Sequence, residues 1–399
     1  MKWASAISTQ EDIAGCIQET AQAVKSQLQG KPADLTVIFV SPHFQDSYNE
    51  IPRMIREHFD PGKLIGCSGG GIIGAGNEVE QRPAFSMTSA HLPDVKIQPI
   101  HTDTLNLPDQ DTGPGVWRDW LGVQAEDHPH FIFLADPFSF RGEEFLSGVD
   151  FAYPNSKKVG GLASGSHSQN GNALYLENKV YSSGLVGLAL SGNIEVDTIV
   201  AQGCRPIGRP FNITRCNQNL LQEVDGKPPM EMLQEIHETL SEGDKKLMQT
   251  SLFLGIEMDP LKDDPKQGDF LIRNLMGVDR ESGGLAIGAE LREGQLVQFH
   301  LRDKVMSAED LGMMLARYYS QGKADDASGA LLFSCLGRGQ YLYGRPNHDT
   351  DMFKDKLGNI PLGGFFCNGE IGPVGNTTFL HGYTSSFGIF RPHSIEAGN

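Results

Sequence analysis

Two segments toward the end of the chain bring together residue types that can hold a small charged molecule. Phe333-Ser334-Cys335-Leu336-Gly337-Arg338-Gly339 closes an apolar run with a thiol and then an arginine between glycines. About thirty residues on stands Pro361-Leu362-Gly363-Gly364-Phe365-Phe366-Cys367-Asn368-Gly369-Glu370-Ile371-Gly372-Pro373. If the two apolar runs are neighbouring parallel strands, Cys335, Arg338, Asn368 and Glu370 emerge at one edge, with Gly337 leaving the backbone bare between them. That edge, beyond the carboxyl ends of strands, is where open α/β sheets bind ligands. A guanidinium clamps a carboxylate through two N–H bonds, and a Glu or Asn receives an ammonium. The set suits an amino acid or another small zwitterion. The competing reading is that Arg338 and Glu370 pair with each other across a turn.

Cys335 is also a candidate nucleophile if Arg338 lowers its pKa, with His348 or His381 as the base. A lone Cys at a strand end reads equally as a small buried hydrophobe. His348-Asp349-Thr350-Asp351 and His128-Pro129-His130 offer metal-ligand types without a zinc framework, and solvated loops are the favoured reading of both. The remaining histidines are scattered, so no axial haem ligand stands out.

A second glycine-rich stretch, Gly66-Cys67-Ser68-Gly69-Gly70-Gly71-Ile72-Ile73-Gly74-Ala75-Gly76, contains a formal G-x-G-x-x-G after a strand-like run. A dinucleotide fingerprint needs a helix next, whose dipole holds the pyrophosphate. Asn77-Glu78-Val79-Glu80-Gln81-Arg82-Pro83 does not read as that helix, and no Gly-Lys-Ser/Thr follows. The stretch reads instead as a loop whose bare backbone, at Gly69 above all, lets a small ligand or another chain segment approach, with Ser68 as a hydrogen-bonding group.

These segments belong to a unit that recurs three times: helix, strand, helix, strand, glycine turn. The first copy has a helical pattern from about Thr9 to Leu28, with Ser8 and Glu11 in the form of a capping box. Leu35–Val40, a helix near Asn49–Phe59 and Lys63–Gly66 follow. The second copy runs Val116–Gln124, Phe131–Leu134, Arg141–Val149 and Val159–Gly165. The third has a helix over Ser307–Gln321, capped by Ser307 and Asp310, then Ala330–Ser334 and Ile360–Gly363. The spacing is 26 residues from Val40 to Gly66 and from Leu134 to Gly160, and 29 from Ser334 to Gly363. Such units imply βαβ crossovers with buried parallel strands.

Between the copies, Ala84–Ala90, Val95–His101, Ala173–Leu176, Leu185–Leu190, Ile194–Val200, Leu285–Leu291 and Leu296–Leu301 read as short antiparallel strands. A helix over Met230–Met248, after Pro228-Pro229, separates the halves, with a boundary near Asp225-Gly226. The expected class is α+β, or mixed α/β, with mixed parallel and antiparallel sheets.

The 399 residues exceed one ordinary core, so two or three domains are expected. The formal charge of −17 argues against nucleic-acid binding and against an anionic membrane surface. No apolar stretch is long enough to span a bilayer, and no secretory signal is visible, so a cytoplasmic protein is expected. The six cysteines, with no C-x-x-C pair, read as free thiols. The sequons at Asn212 and Asn376 carry no weight without a secretory route.

Ser334–Gly339, Gly363–Pro373 and His381-Gly382-Tyr383-Thr384 resemble the C-terminal signature of the FIST family, and Leu64–Gly70 looks like its N-terminal signature. The resemblance covers about residues 34 to 390. It implies an N-terminal helix over 1–33, a FIST N-terminal domain over 34–225 and a FIST C-terminal domain over 226–399, as two FIST-like lobes. The family name stands for F-box and intracellular signal transduction, and its domains are proposed to sense small ligands such as amino acids. Some bacterial members are thought to bind haem and report nitric oxide. No F-box, kinase, cyclase or chemotaxis segment is recognisable here, so output is expected through a partner protein or self-association.

The expectation is therefore a non-enzymatic, small-ligand-binding sensory protein. Ser68, Gly69, Cys335, Gly337, Arg338, Asn368 and Glu370 form its site, with no resident cofactor or metal. The alternatives are a haem-binding nitric oxide sensor, a Cys335-dependent enzyme and an interaction scaffold.

Overall fold

The computed structural model describes residues 1–103, 106–279 and 282–393. Its helices and mixed sheets are those of an α+β protein. The chain forms two compact units, one of residues 1–200, 312–380 and 384–399, the other of 201–311 and 381–383.

The first unit carries the threefold repeat, and each copy supplies four strands of one six-stranded sheet. Sheet I runs Lys2–Ser8, Phe85–His91, Leu35–Val40, Lys63–Ser68, Leu174–Leu176, Lys179–Tyr181. Sheet II runs Val95–Thr102, Leu185–Gly192, His130–Ala135, Lys158–Leu162, Glu370–Val374, Thr377–His381. Sheet III runs Glu195–Ala201, Ser385–Arg391, Gly329–Cys335, Leu362–Cys367, Gly71–Gly74, Asn77–Glu80. In each sheet one parallel pair sits at the centre: Leu35–Val40 with Lys63–Ser68, His130–Ala135 with Lys158–Leu162, Gly329–Cys335 with Leu362–Cys367. The first strand of each pair is a nearly unbroken apolar run because both of its faces are covered.

The last two strands of every sheet form a hairpin donated by another copy. The hairpin of the first copy, Gly71–Glu80, pairs into sheet III. That of the second, Leu174–Tyr181, pairs into sheet I, and that of the third, Glu370–His381, into sheet II. The exchange is cyclic and closed, so no copy completes its own sheet. It also explains Asn77–Pro83: Asn77–Glu80 is a strand turned back on Gly71–Gly74, and the glycine-rich run is sheet, not a phosphate loop.

The repeat is registered by three glycines, Gly66, Gly160 and Gly364, opposite Ile38, Phe133 and Leu332. A Cβ at these positions would stand 2.1, 1.8 and 1.9 Å from the facing carbonyl oxygen. Gly160 and Gly364 also have φ of 155° and 156°, which side chains disfavour. The third marker is thus Gly364, one residue beyond the Gly363 that spacing suggests.

Inner faces of all three sheets share one core, including Phe39, Ile65, Ile132, Leu134, Leu331, Phe333 and Phe365. Phe39 stacks on Phe365 at 4.8 Å, and Phe333 meets the same ring edge-on at 6.0 Å. The outer face of sheet I is covered by helix Ile13–Leu28, whose Ile13, Ile17, Ala21, Val24 and Leu28 are buried. Its cap is Asp12, accepting the Gly15 N–H at 2.7 Å, rather than Ser8, which belongs to the edge strand Lys2–Ser8.

The second unit is a closed six-stranded barrel, in the order Cys204–Asn217, Leu220–Val224, Leu285–Ile287, Phe270–Val278, Leu252–Glu257, Leu296–Arg302. Phe211, Leu254, Ile287, Val297 and Phe299 fill it. In sequence it enters the third repeat between that copy's first strand and first helix. The helix expected over Met230–Met248 is two, Pro229–Thr239 and Glu242–Met248, because Ser241 caps a new start by accepting the Asp244 N–H. The next helix is Lys304–Ser320. Ser307 and Asp310 do not cap it but grip the Gly203 backbone, and Asp303 accepts the Met306 N–H instead.

Candidate functional site

The carboxyl ends of the three second parallel strands meet in a ring of backbone hydrogen bonds. Ser164 N–H donates to the Ser68 carbonyl at 3.1 Å, and Asn368 N–H to the Leu162 carbonyl at 3.1 Å. The third link is bridged: Gly70 N–H donates to Ser164 Oγ at 2.8 Å, and that hydroxyl donates to the Phe366 carbonyl at 2.5 Å. Ser68, Gly69 and Asn368 lie at these strand ends, where the protein's own backbone takes up their hydrogen bonds. Ser68 Oγ takes the Ala173 N–H at 3.1 Å, Gly69 N–H donates to the Val40 carbonyl, and Asn368 Nδ2 donates to the Ala163 carbonyl at 3.1 Å. Cys335 and Cys367 are register partners at the ends of their parallel strands. Gly337 N–H lies 3.5 Å from Cys335 Sγ. Glu370 is fully buried and accepts the Thr384 N–H at 3.1 Å.

Arg338 points elsewhere. Its guanidinium grips Asp349 through Nε at 2.8 Å and Nη2 at 3.2 Å, and Nη2 also donates to the Tyr343 hydroxyl at 2.6 Å. Neither the clamp on Glu370 nor an open guanidinium is found. Asp349 further receives Ser385 Oγ at 2.5 Å and His348 Nδ1 at 2.9 Å, and the His348 ring stacks on Tyr343 at 3.4 Å. His348, Asp349 and Thr350 are buried at the start of helix His348–Leu357, so the solvated-loop reading of this tetrad is overturned. Arg338 Nη1 is buried with no hydrogen-bond partner among the described residues.

The hairpin donated by the first repeat lays Glu78 and Glu80 against this cluster. Glu80 accepts the Gln340 N–H at 2.8 Å. Glu78 Oε1 accepts the Thr350 N–H at 2.9 Å and so caps helix His348–Leu357, while the Asn347 side chain, the usual cap, is turned to the Glu78 N–H at 2.7 Å. Glu78 Oε2 is buried, and the Thr350 side chain is a further hydrogen-bonding group against this carboxyl.

Electrostatics divides the carboxyls. Burial pushes Asp349 up, but the Arg338 charge and the bonds from His348, Arg338 and Ser385 outweigh it and hold it well below the ordinary carboxylate range. Glu78 has no such cation. Burial, then the Asp349 charge, push it up to about 8, against the hydrogen bonds from the Thr350 backbone and side chain that lower it. Glu80 is raised by burial and by Asp349.

Glu78 also lines a cavity of about 510 Å³. Its walls carry Ile7, Ser8, Gln10, Glu19, Val79, Arg82 and Asn347. Charges of both signs and the apolar side chains of Ile7, Val79 and Pro346 thus share one hollow. Sequence reasoning missed Glu78, Arg82 and Asp349 as site residues. The alternation through Asn77–Glu80 is the signal for Glu78, a strand carrying a carboxyl on its buried face. His348-Asp349 was visible as a chemical motif, but not as the counter-ion of Arg338. Among the described residues no group of His, Cys, Asp or Glu is arranged to hold a metal ion, and no helix is long and apolar enough to cross a membrane.

The FIST N domain matches residues 34–227 and the FIST C domain residues 231–373. The chain belongs to the FIST family, whose domains are sensory domains of signal transduction. It is similar to an uncharacterized protein of Mycobacterium tuberculosis (strain ATCC 25618 / H37Rv), at 33% identity over 96% of this chain and 98% of that one. An uncharacterized protein of Mycobacterium bovis matches at 32% over 96% and 97%. An F-box/LRR-repeat protein of Arabidopsis thaliana is 29% identical over 142 residues, 32% of this chain and 27% of its own.

Proposed function

We propose that this FIST protein is a non-enzymatic sensor of a small zwitterion such as an amino acid, bound in the Glu78 cavity and read out by a partner protein. The carrying observation is a cavity lined both by a buried acid, Glu78, and by Arg82. A ligand ammonium docks against Glu78, with Glu19 adding negative charge, and its carboxylate meets Arg82. Ile7 and Val79 accept the apolar part of its side chain. Because Glu78 also caps the helix that carries Asp349, ligand contact at Glu78 reaches the Arg338 cluster through one backbone bond. That link offers a route from occupancy to a change at the surface.

Isothermal titration against a panel of amino acids tests the reading. Saturable binding that Arg82→Ala weakens at least tenfold supports it. Failure of every amino acid to bind, or binding unaffected by Arg82→Ala, contradicts it.

A further inference from the structure

The charge count around Glu78 is unbalanced. Its own strand contributes Glu80, helix His348–Leu357 contributes Asp349 and His348, and helix Ile13–Leu28 contributes Glu19 to the shared cavity. The turn after Cys335 contributes Arg338, which is committed to Asp349 by two N–H bonds. The remaining cation at the cavity is Arg82, which is exposed. Glu78 itself is 5% exposed, with one oxygen held by the Thr350 amide and the other buried, the Thr350 hydroxyl being the further hydrogen-bonding group against the carboxyl. An anion so placed faces a second buried carboxylate with the Thr350 hydrogen bonds and an exposed arginine to offset it, and burial outweighs them, so a carboxyl in that position keeps its proton.

We propose that Glu78 is protonated in the empty cavity and that docking of a ligand ammonium expels this proton to solvent. This deepens the sensor reading and rests on it: the ligand class is narrowed to molecules with a protonated primary or secondary amine, and binding becomes proton-linked. The exchange balances. A neutral Glu78 carboxyl and a ligand ammonium become a carboxylate–ammonium ion pair and one free proton, which the buffer takes up. A quaternary amine offers no N–H to the buried carboxylate and forms a weaker complex. Occupancy therefore responds to pH as well as to ligand concentration. Below the range in which Glu78 ionises, each pH unit upward raises affinity about tenfold; above it the affinity levels off.

Two measurements on the full-length protein decide the proposal. Carbon-13 NMR of glutamate-labelled protein follows each Glu carboxyl with pH, and Glu78→Gln, which keeps the Oε1 acceptor for the Thr350 amide, identifies the Glu78 signal. The expected result is a carboxyl that ionises above pH 7; ionisation near pH 4 overturns the inference while leaving the sensor reading standing. Calorimetry of glycine and L-alanine at pH 7, in phosphate and in Tris, then counts protons. The expected result is release of close to one proton, abolished in Glu78→Gln, with glycine betaine at least tenfold weaker than glycine. Binding with no buffer dependence also overturns the inference alone. Absence of binding by the whole amino-acid panel overturns the sensor reading and the inference together.

Discussion

The guanidinium of Arg338 donates to both carboxylate oxygens of Asp349, and the two side chains are 0% and 3% exposed. Removing one partner leaves a charge buried without compensation, which costs about 3–5 kcal/mol. Arg338→Ala and Asp349→Ala should each lower the denaturant midpoint by an amount of that order. A joint substitution of both by apolar residues should cost less than the sum. Equilibrium unfolding of the three variants checks this; losses below about 1 kcal/mol for the single variants would show that the pair does not hold the cluster.

The same carboxyls give stability a two-sided pH dependence. Asp349 is depressed in the folded state, so its contribution is present above the unfolded value of about 3.9 and is lost as pH falls below it. Glu78 is raised to about 8. Its contribution is present below about pH 4 and is lost as pH rises from there to about 8. Glu78→Gln should therefore flatten the decline of stability between pH 5 and 8, measured by unfolding across that range. A slope equal to that of the parent would contradict it.

In the barrel, burial holds His300 down to about 4, and its Nδ1 faces the Gln298 carbonyl at 2.9 Å. Between pH 4 and 6.5 the unfolded chain binds the proton and the folded one does not, so acid destabilises the barrel over that window. Replacing His300 by Gln should remove this part of the acid sensitivity. Gly255 fits against the same ring, where a Cβ would lie 2.5 Å from His300 Cε1, so Gly255→Ala should destabilise the barrel by about 1–3 kcal/mol.

At the ring of strand ends, Ser164 Oγ bridges Gly70 and Phe366 in the third link. Ser164→Ala leaves the Gly70 amide without that acceptor and should cost about 1–3 kcal/mol. Gly160→Ala or Gly364→Ala drives a Cβ into a backbone carbonyl and should abolish soluble expression. Soluble protein with native circular dichroism from either glycine variant would contradict the threefold register.

Much of this architecture is legible from pattern, because buried parallel strands read as unbroken apolar runs and the crossovers carry helical spacing. The strand–helix–strand units Leu35–Ser68 and His130–Leu162 fall where that pattern places them, and so do the two strands of Gly329–Cys367, whose crossover helix His348–Leu357 had read as a loop. The exchange of hairpins is not legible: Gly71–Glu80 is glycine-rich and polar, and its partner strand, Leu362–Cys367, lies nearly three hundred residues away. The barrel strands Cys204–Asn217 and Phe270–Val278 are irregular, with bulges and prolines that blur alternation.

The site was legible in part, for the same reason. Arg338 is singled out by its glycine neighbours, yet its counter-ion is Asp349 on a helix that had read as a loop. Glu370 looked like that counter-ion from its place after a strand. Because it lies in a donated hairpin, it is carried to sheet II.

The sensor account places the ligand between Ile7, Val79, Arg82 and Glu78, and methyl NMR of isoleucine- and valine-labelled protein locates it directly. Adding the amino acid that binds best should shift the Ile7 and Val79 methyl signals in a saturable way and leave Ile132, in the shared inner core, unmoved. A saturable response confined to other methyls, or none from any amino acid tested, would contradict the account.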